Sequence, residues 1–232
     1  MKNNIDFKQR VDQFKWSKGL LALVSLLVLT ATTTYGQLEA GYSMYRFNPQ
    51  VISPAHSGST ATSDVTLMNR QQWLGFEGAP KTYVFSGNFK YGANKGFGVN
   101  AMLDQAGPMK ITTFSADYAY HTKLAEEWTF SGGVRAGVAN LALNFDETSL
   151  VHQGDPTFVN RSSMNFNTGW GVKIAKGDGF FVSVSQPRVL KYDLGDGFKD
   201  VAYFYGMVGT KIKANKNVTI YPSALVLSLI HI

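Results

Sequence analysis

The sequence predicts an all-β fold, an antiparallel transmembrane β-barrel of the outer-membrane type with about nine strands. Three observations predict it. Apolar and polar residues alternate along many segments, several segments reach ten or more residues, and short connections alternate with longer ones. A tilted strand needs roughly 9–11 residues to cross the hydrocarbon of a bilayer, whereas strands of soluble proteins more often stop at about five or six.

Residues 1–36 are predicted to be a signal peptide. Basic residues precede an apolar run from Leu20 to Leu29, which is shorter than the roughly 20 residues that a membrane-spanning helix needs. Thr34 and Gly36 fit the −3 and −1 positions of a cleavage site before Gln37; an uncleaved N-terminal anchor is the alternative. Removing five Lys/Arg and two Asp with this segment from 22 basic and 16 acidic residues leaves a net charge of about +3. The basic pI therefore does not indicate a nucleic-acid partner.

Residues 64–232 are predicted to form the barrel, here incomplete. In one strand the rings of Tyr83 and Phe85 share one face, while Ser86 and Asn88 share the other. The predicted strands are Asp64–Trp73, Thr82–Tyr91, Phe97–Asp104, Thr112–Leu124, Trp128–Leu143, Asn165–Ala175, Phe180–Gln186, Val201–Lys213 and Val218–Ala224.

Polar residues on these strands are predicted to line the lumen, because charge is costly on a lipid-facing surface. Alternation alone also fits a soluble β-sandwich, but aromatic residues cluster beside the short turns, which is typical of an interfacial girdle. The longer connections, including 105–111, 144–164 and 187–200, are predicted to face outward. The candidate lumen residues are Asn88, Lys90, Asp117, Arg135 and Lys173.

The predicted strand count is odd, whereas single-chain bacterial barrels close with an even number. The residues after about Ser223 also lose their alternation. We therefore expect a C-terminally truncated chain whose last residues are not native; a miscounted strand is the alternative.

Two motifs stand before and after the first predicted strand. Residues 37–63 are rich in Pro, Asn and Ser, which prevent helix and favour turns, so a periplasmic entry segment at the barrel mouth is expected. Its motif residues are Phe47, Asn48, Pro49, Pro54, Ala55 and Gly58. The second motif is a hairpin loop with an interfacial Trp, comprising Arg70, Gln71, Gln72, Trp73, Gly75, Phe76, Gly78, Pro80 and Lys81.

Both motifs resemble those of the PorP/SprF family, whose members carry RQQW-x-GF-x-GAPKT after FNP-x-x-I-N-PA-x-x-GS. Ser53 stands where the family usually has Asn, and His56 where it often has Tyr; both changes are conservative for a turn. The resemblance implies an outer-membrane barrel of the type IX secretion and gliding machinery, which helps to secrete adhesin-like proteins or to hold them at the surface. It implies as partners a secreted adhesin and other periplasmic and outer-membrane secretion components, and it carries no catalytic residues. Family members are longer, with further C-terminal strands.

Catalysis, metal binding and cofactor binding are not predicted. The chain has four His and no Cys, and His152 lies with Asp146, Glu147 and Asp155 in a long polar segment that we interpret as a solvated loop. A general porin or solute channel is the alternative function, supported by the architecture alone.

Overall fold

The computed structural model describes residues 44–60, 62–145, 159–192, 203–215 and 217–229. Two short 3-10 turns come first, at Pro49–Val51 and Pro54–His56. Across the described residues, no helix has both the length and the apolarity to cross a membrane. The strands are β1 (Asp64–Gln71), β2 (Lys81–Tyr91), β3 (Lys95–Ala106), β4 (Met109–Lys123), β5 (Trp128–Leu143), β6 (Arg161–Lys176), β7 (Phe180–Gln186), β8 (Tyr203–Thr210), β9 (Ile212–Lys213), β10 (Thr219–Ile220) and β11 (Ser223–Leu229).

Nine strands form one antiparallel sheet, a half-barrel, which confirms the predicted fold class. Each strand from β1 to β8 pairs with the next along the chain, and β8 then pairs with β11. The small β9–β10 ladder lies between them in sequence. Within the described residues β1 and β11 are the two edges of the sheet. Strands β4 to β6 contain 15 or 16 residues, long enough to cross a bilayer at a tilt.

The two faces of the sheet differ in chemistry. On what we call the outer face, rings and aliphatic side chains are exposed, and three rings pack beside the turn between β2 and β3. Phe97 lies 5.3 Å from Tyr118 and 6.1 Å from Tyr91 between ring centroids. On what we call the inner face, Ser86 and Asp117 are buried beneath another part of the chain. This division is that of a barrel wall with lipid outside and a polar interior.

The sheet has two rims. We call the rim formed by the turns 92–94, 124–127 and 177–179 the turn rim. The opposite loop rim carries the connections 72–80, 107–108, 144–160 and 187–202. Most of the last two connections lies outside the described residues.

Two sequence expectations about connections and strand ends were wrong. The connection predicted over 105–111 is the tight turn 107–108, because β3 and β4 stay paired until Ala106 faces Met109. Gly107 supplies the positive φ, 55°, that this turn requires. The strand predicted over Val218–Ala224 is also displaced: β11 spans Ser223–Leu229 and pairs along its whole length with β8.

Candidate functional site

A segment from the N-terminal part of the chain lies across the inner face. We call Asn48–Gly58 the docked segment; it runs from β2 to β8 and consists largely of the two 3-10 turns. Proline opens each turn, where its missing N–H costs no hydrogen bond and its fixed φ favours the bend. Ser53, Ala55 and Ser57 are fully buried. The segment expected at the barrel mouth therefore covers the inner wall.

Glycines on the inner face allow this close approach. A Cβ atom at Gly133 would lie 2.4 Å from the carbonyl carbon of Pro54, and one at Gly96 would lie 1.9 Å from the carbonyl oxygen of Ser57. Real Cβ atoms do not approach so closely, so the backbone of the segment rests directly on the backbone of the sheet.

The central contact is a buried ion pair on two neighbouring strands. Arg135 of β5 faces Asp117 of β4 and donates Nε and Nη2 to the two carboxylate oxygens at 2.7 and 2.8 Å. The same guanidinium donates Nη1 to the carbonyl of Val51 at 2.6 Å and Nη2 to that of Gln50 at 2.7 Å. The Asp117 side chain is wholly buried and that of Arg135 is 10% exposed. Because a buried charge needs hydrogen bonds around it, this pair both requires and fixes the docked segment.

Further polar contacts repeat the pattern on either side. His121 and Ser185 bond the carbonyls of Ser57 and Ile52 at 2.9 and 2.8 Å, respectively. Asn88 accepts the N–H of Gly58. Other pairs are Asn48 with Ser86, Gln50 with Gly87 at 3.0 Å, Ser53 with Ser183 at 3.2 Å, and Ser57 with Asp117 at 3.4 Å. Strands β2, β4, β5 and β7 thus satisfy polar groups of the segment.

An apolar cluster fixes the segment at β8. Ile52 is buried against Tyr203, Tyr205 and Met207, which occupy successive inner positions of that strand. Partly buried residues complete the cluster: Tyr45, Phe181, Leu225 and Leu227.

His56 is buried near the C-terminal end of the docked segment, edge-on to the ring of Phe181 at 5.3 Å. Burial lowers its pKa well below the usual value, and the neighbouring Lys173 and His121 lower it further. Lys173 itself is 7% exposed on β6. His56 and Lys173 line one cavity.

The second motif occupies the loop rim. We call the connection 72–80 the signature loop; the N–H of Gln72 bonds the carbonyl of Pro80 at 3.0 Å, and that of Gly107 bonds Gly78 at 2.9 Å. Trp73 adopts a positive φ of 49°, uncommon outside glycine. Trp73, Leu74 and Phe76 are 70%, 79% and 75% exposed. This ordered loop therefore displays three large apolar side chains.

The remaining candidate residues are distributed as follows. In the entry motif Asn48, Pro54, Ala55 and Gly58 are buried, Pro49 is half-buried and Phe47 is exposed. In the loop motif Arg70, Gln72 and Pro80 are half-buried, whereas Gln71, Gly75, Gly78 and Lys81 are exposed. Of the candidate lumen residues, Asn88, Asp117, Arg135 and Lys173 lie beneath or beside the docked segment, and Lys90 is exposed.

The position of the segment 48–58 across the inner face was not predicted from the sequence. Glycines at alternate positions on the polar faces of β3, β5 and β6 could have indicated it. No cluster of three metal-ligating side chains occurs in the described part of the chain. His152, Asp146, Glu147 and Asp155 lie outside it.

An antiparallel half-barrel with an apolar outer face and a chain segment across its polar inner face defines a β-barrel membrane protein. The match to known families agrees: residues 34–230 match the type IX secretion system membrane protein family PorP/SprF. The chain belongs to this family, as the two motifs predicted. The match continues past Ser223, through β11. No curated protein and no solved structure matches the chain.

Proposed function

We propose that this protein is a non-enzymatic outer-membrane component of the type IX secretion and gliding machinery, which helps to secrete adhesin-like proteins or to attach them to the cell surface. Its family is a component of that system. The adhesin role is the finer part of the proposal and rests on the geometry of the inner face and of the loop rim.

The docked segment is the observation that favours an adhesin role over a solute channel. A porin needs an open, water-filled interior. Here the inner wall is covered, and the covering segment is fixed by the Arg135–Asp117 pair and by the apolar contacts of Ile52. Covering the wall in this way favours a protein that presents its surface to partners over one that conducts solutes.

We further propose export through a cleaved signal peptide of residues 1–36, followed by insertion with the loop rim outward. The lengths of the connections support this direction, because outer-membrane barrels have short periplasmic turns and longer extracellular loops, and the two longest connections, 144–160 and 187–202, lie on the loop rim. Residues 37–63 then enter from the periplasmic side, and residues 64–232 belong to the barrel. Periplasmic secretion components would meet the turn rim, and a secreted adhesin would meet the loop rim.

The signature loop is the proposed contact for the secreted partner. Exposed large apolar side chains on an ordered loop are costly in water unless they meet a partner or the membrane interface. Trp73, Leu74 and Phe76 form such a group at the proposed outer end of the barrel.

Two measurements test the proposal. Deletion of the gene should abolish surface display of adhesins while leaving uptake of small solutes unchanged. The natural full-length protein in planar bilayers should show no steady ion conductance. Normal display with altered solute uptake, or a stable open conductance, would instead establish the channel.

Protease shaving of intact cells tests the topology. Cleavage is expected within 144–164 and 187–200, with the turn 92–94 spared. Cleavage at the short turns of intact cells would reverse the assignment of the two rims.

A further inference from the structure

A cavity of about 390 Å³ opens near the turn rim between the docked segment and strands β6 to β8. Its walls combine side chains from several parts of the chain: Tyr45 and Arg46 before the segment, His56 within it, Lys173 on β6, the turn 177–179, and Lys211 with Tyr221 beyond β8. The cavity adjoins the apolar cluster around Ile52 through Tyr45 and Phe181 and does not include the Arg135–Asp117 pair.

Lys173 is the buried cation of this cavity. It is 7% exposed and has no hydrogen bond or ion pair with any residue that the structure describes. A buried ammonium group is costly unless an opposite charge or several acceptors surround it. A neighbouring cation shows the contrast: Lys176, three positions further along β6, pairs with Glu127 at 3.3 Å on the surface.

The buried polar atoms beside Lys173 are also unpartnered. His56 Nε2 and Arg46 Nε are both sealed from solvent and without a hydrogen-bond partner in the described structure. Both residues line the same cavity. Lys173, His56 and Arg46 therefore line one cavity, and each carries a polar atom that has no hydrogen-bond partner among the described residues.

The charge of the cavity is positive and its walls are partly aromatic. Arg46, Lys173 and Lys211 face a single acidic wall residue, Asp178. Arg46 and Lys211 both lie over the ring of Tyr221, at 4.9 and 5.9 Å from its centroid, which holds the two cations on one side of the opening. Phe180 and Phe181 supply apolar surface beside them.

We propose that this cavity is an oxyanion site that receives a carboxylate or phosphate group from a ligand entering at the turn rim. Lys173 supplies a point charge at the bottom, and Arg46 supplies a planar guanidinium at the side, the two geometries that proteins use for such groups. The aromatic walls accommodate the carbon skeleton that carries the anion. The site takes no part in the proposed adhesin contact at the loop rim.

Binding of defined anions to the natural full-length protein in detergent tests this site. Isothermal titration would use inorganic phosphate, a short capped peptide of two glutamates, and the same peptide with glutamines. We expect the anionic probes to bind and the glutamine peptide to fail. Tighter binding of the glutamate peptide than of phosphate identifies a peptide carboxylate as the source; the reverse order identifies free phosphate or a phosphate ester.

Lys173→Met removes the buried charge and preserves an unbranched side chain, so the fold should tolerate it. It should weaken binding about 10- to 100-fold, since a hydrogen bond to a charged group contributes about 1.5–3 kcal/mol and 1.4 kcal/mol is tenfold. Lys211→Gln at the opening should weaken it less. Lys176→Gln removes a cation from the same strand outside the cavity and should leave binding unchanged.

Several results would overturn the site. These are the absence of binding by both anionic probes, equal binding of the glutamine peptide, unchanged affinity in Lys173→Met and Lys211→Gln, or equal weakening by Lys176→Gln. Gel mobility with and without heating checks that each variant barrel is folded.

Discussion

The docked segment and the signature loop are both motif-bearing turn segments, yet they occupy opposite environments. The docked segment carries its polar groups inward, where Arg135, His121 and Ser185 bond its carbonyls. The signature loop carries its apolar groups outward, with Trp73 and Phe76 at least 70% exposed. Both depend on Pro and Gly for their bends.

This difference separates the roles that a recurrent motif can have. Inside the half-barrel the backbone carbonyls of Gln50, Val51, Ile52 and Ser57 accept hydrogen bonds from the wall, so losing these bonds should cost stability. On the rim the largest side chains contribute little to the fold, so substitution should cost an interaction with something else. The comparison yields four predictions.

The largest effect is expected from Arg135→Met. This variant leaves the buried carboxylate of Asp117 unpaired and frees the carbonyls of Gln50 and Val51. Removing one partner of a buried pair typically costs about 3–5 kcal/mol. We expect the docked segment to become open to protease and amide exchange, measured on the folded barrel by mass spectrometry.

Two controls accompany that variant. Lys176→Met breaks the exposed pair with Glu127 and should change stability by roughly 0–1 kcal/mol. The double variant Asp117→Asn with Arg135→Met removes both charges and should recover part of the protection. Full protection of the segment in Arg135→Met alone would show that the ion pair does not hold it.

A smaller effect is expected from Gly133→Ala. The added methyl would meet the backbone of Pro54 at 2.4 Å, whereas a methyl at Gly132, the next residue of β5, would have its nearest neighbour at 3.8 Å. Forced overpacking typically costs about 1–3 kcal/mol. Gly133→Ala should therefore raise amide exchange in the docked segment, and Gly132→Ala should not.

Equal exchange in these two variants would mean that backbone flexibility, rather than steric contact, accounts for the glycine at Gly133. The two sites share a strand and differ mainly in the face they occupy, so the pair isolates contact with the segment.

The strands were predictable because alternation is a local property. Phe85, Ser86 and Asn88 occupy the expected faces, and nine strands form the main sheet. The errors lie where local pattern competes with pairing. A longer connection is predicted over 105–111 because Gly107 and Pro108 interrupt the alternation, whereas the β3–β4 ladder extends to these two residues on both sides.

The position of the docked segment could not be predicted from the sequence, for a different reason. Its contacts join Val51 to Arg135 and Ser57 to His121, residues 84 and 64 positions apart. No periodicity in 37–63 specifies which surface the turns will meet. Only the glycines on the polar strand faces, Gly96, Gly98 and Gly133, indicate where the segment contacts the sheet. Their alignment can be recognised only when the pairing register of the strands is known.

A moderate, pH-dependent effect is expected from His56. Its pKa is lowered when buried, chiefly by burial and then by Lys173 and His121, so protonation opposes docking. The stabilisation is therefore complete above the ordinary value of 6.5 and is lost as pH falls below it, by at most about 1.4 kcal/mol for each pH unit. Amide exchange of the segment should rise between pH 7 and pH 5. His56→Gln should flatten this rise, and an unchanged pH profile in that variant would assign the effect to another group.

The smallest effect on stability is expected from the signature loop. Replacing Trp73 and Phe76 together by Ser should change the free energy of unfolding by no more than about 0.5 kcal/mol, because both side chains are largely exposed. The same variant should reduce surface display of adhesins, scored with antibody on intact cells, while Glu77→Ala in the same loop serves as the matched control. Normal display in the double variant would place the partner contact elsewhere on the loop rim. Loss of barrel stability would instead show that the loop, like the docked segment, supports the fold. The two motifs therefore have different roles only if substitutions that release the docked segment lower the stability of the barrel and substitutions in the signature loop reduce the surface display of adhesins.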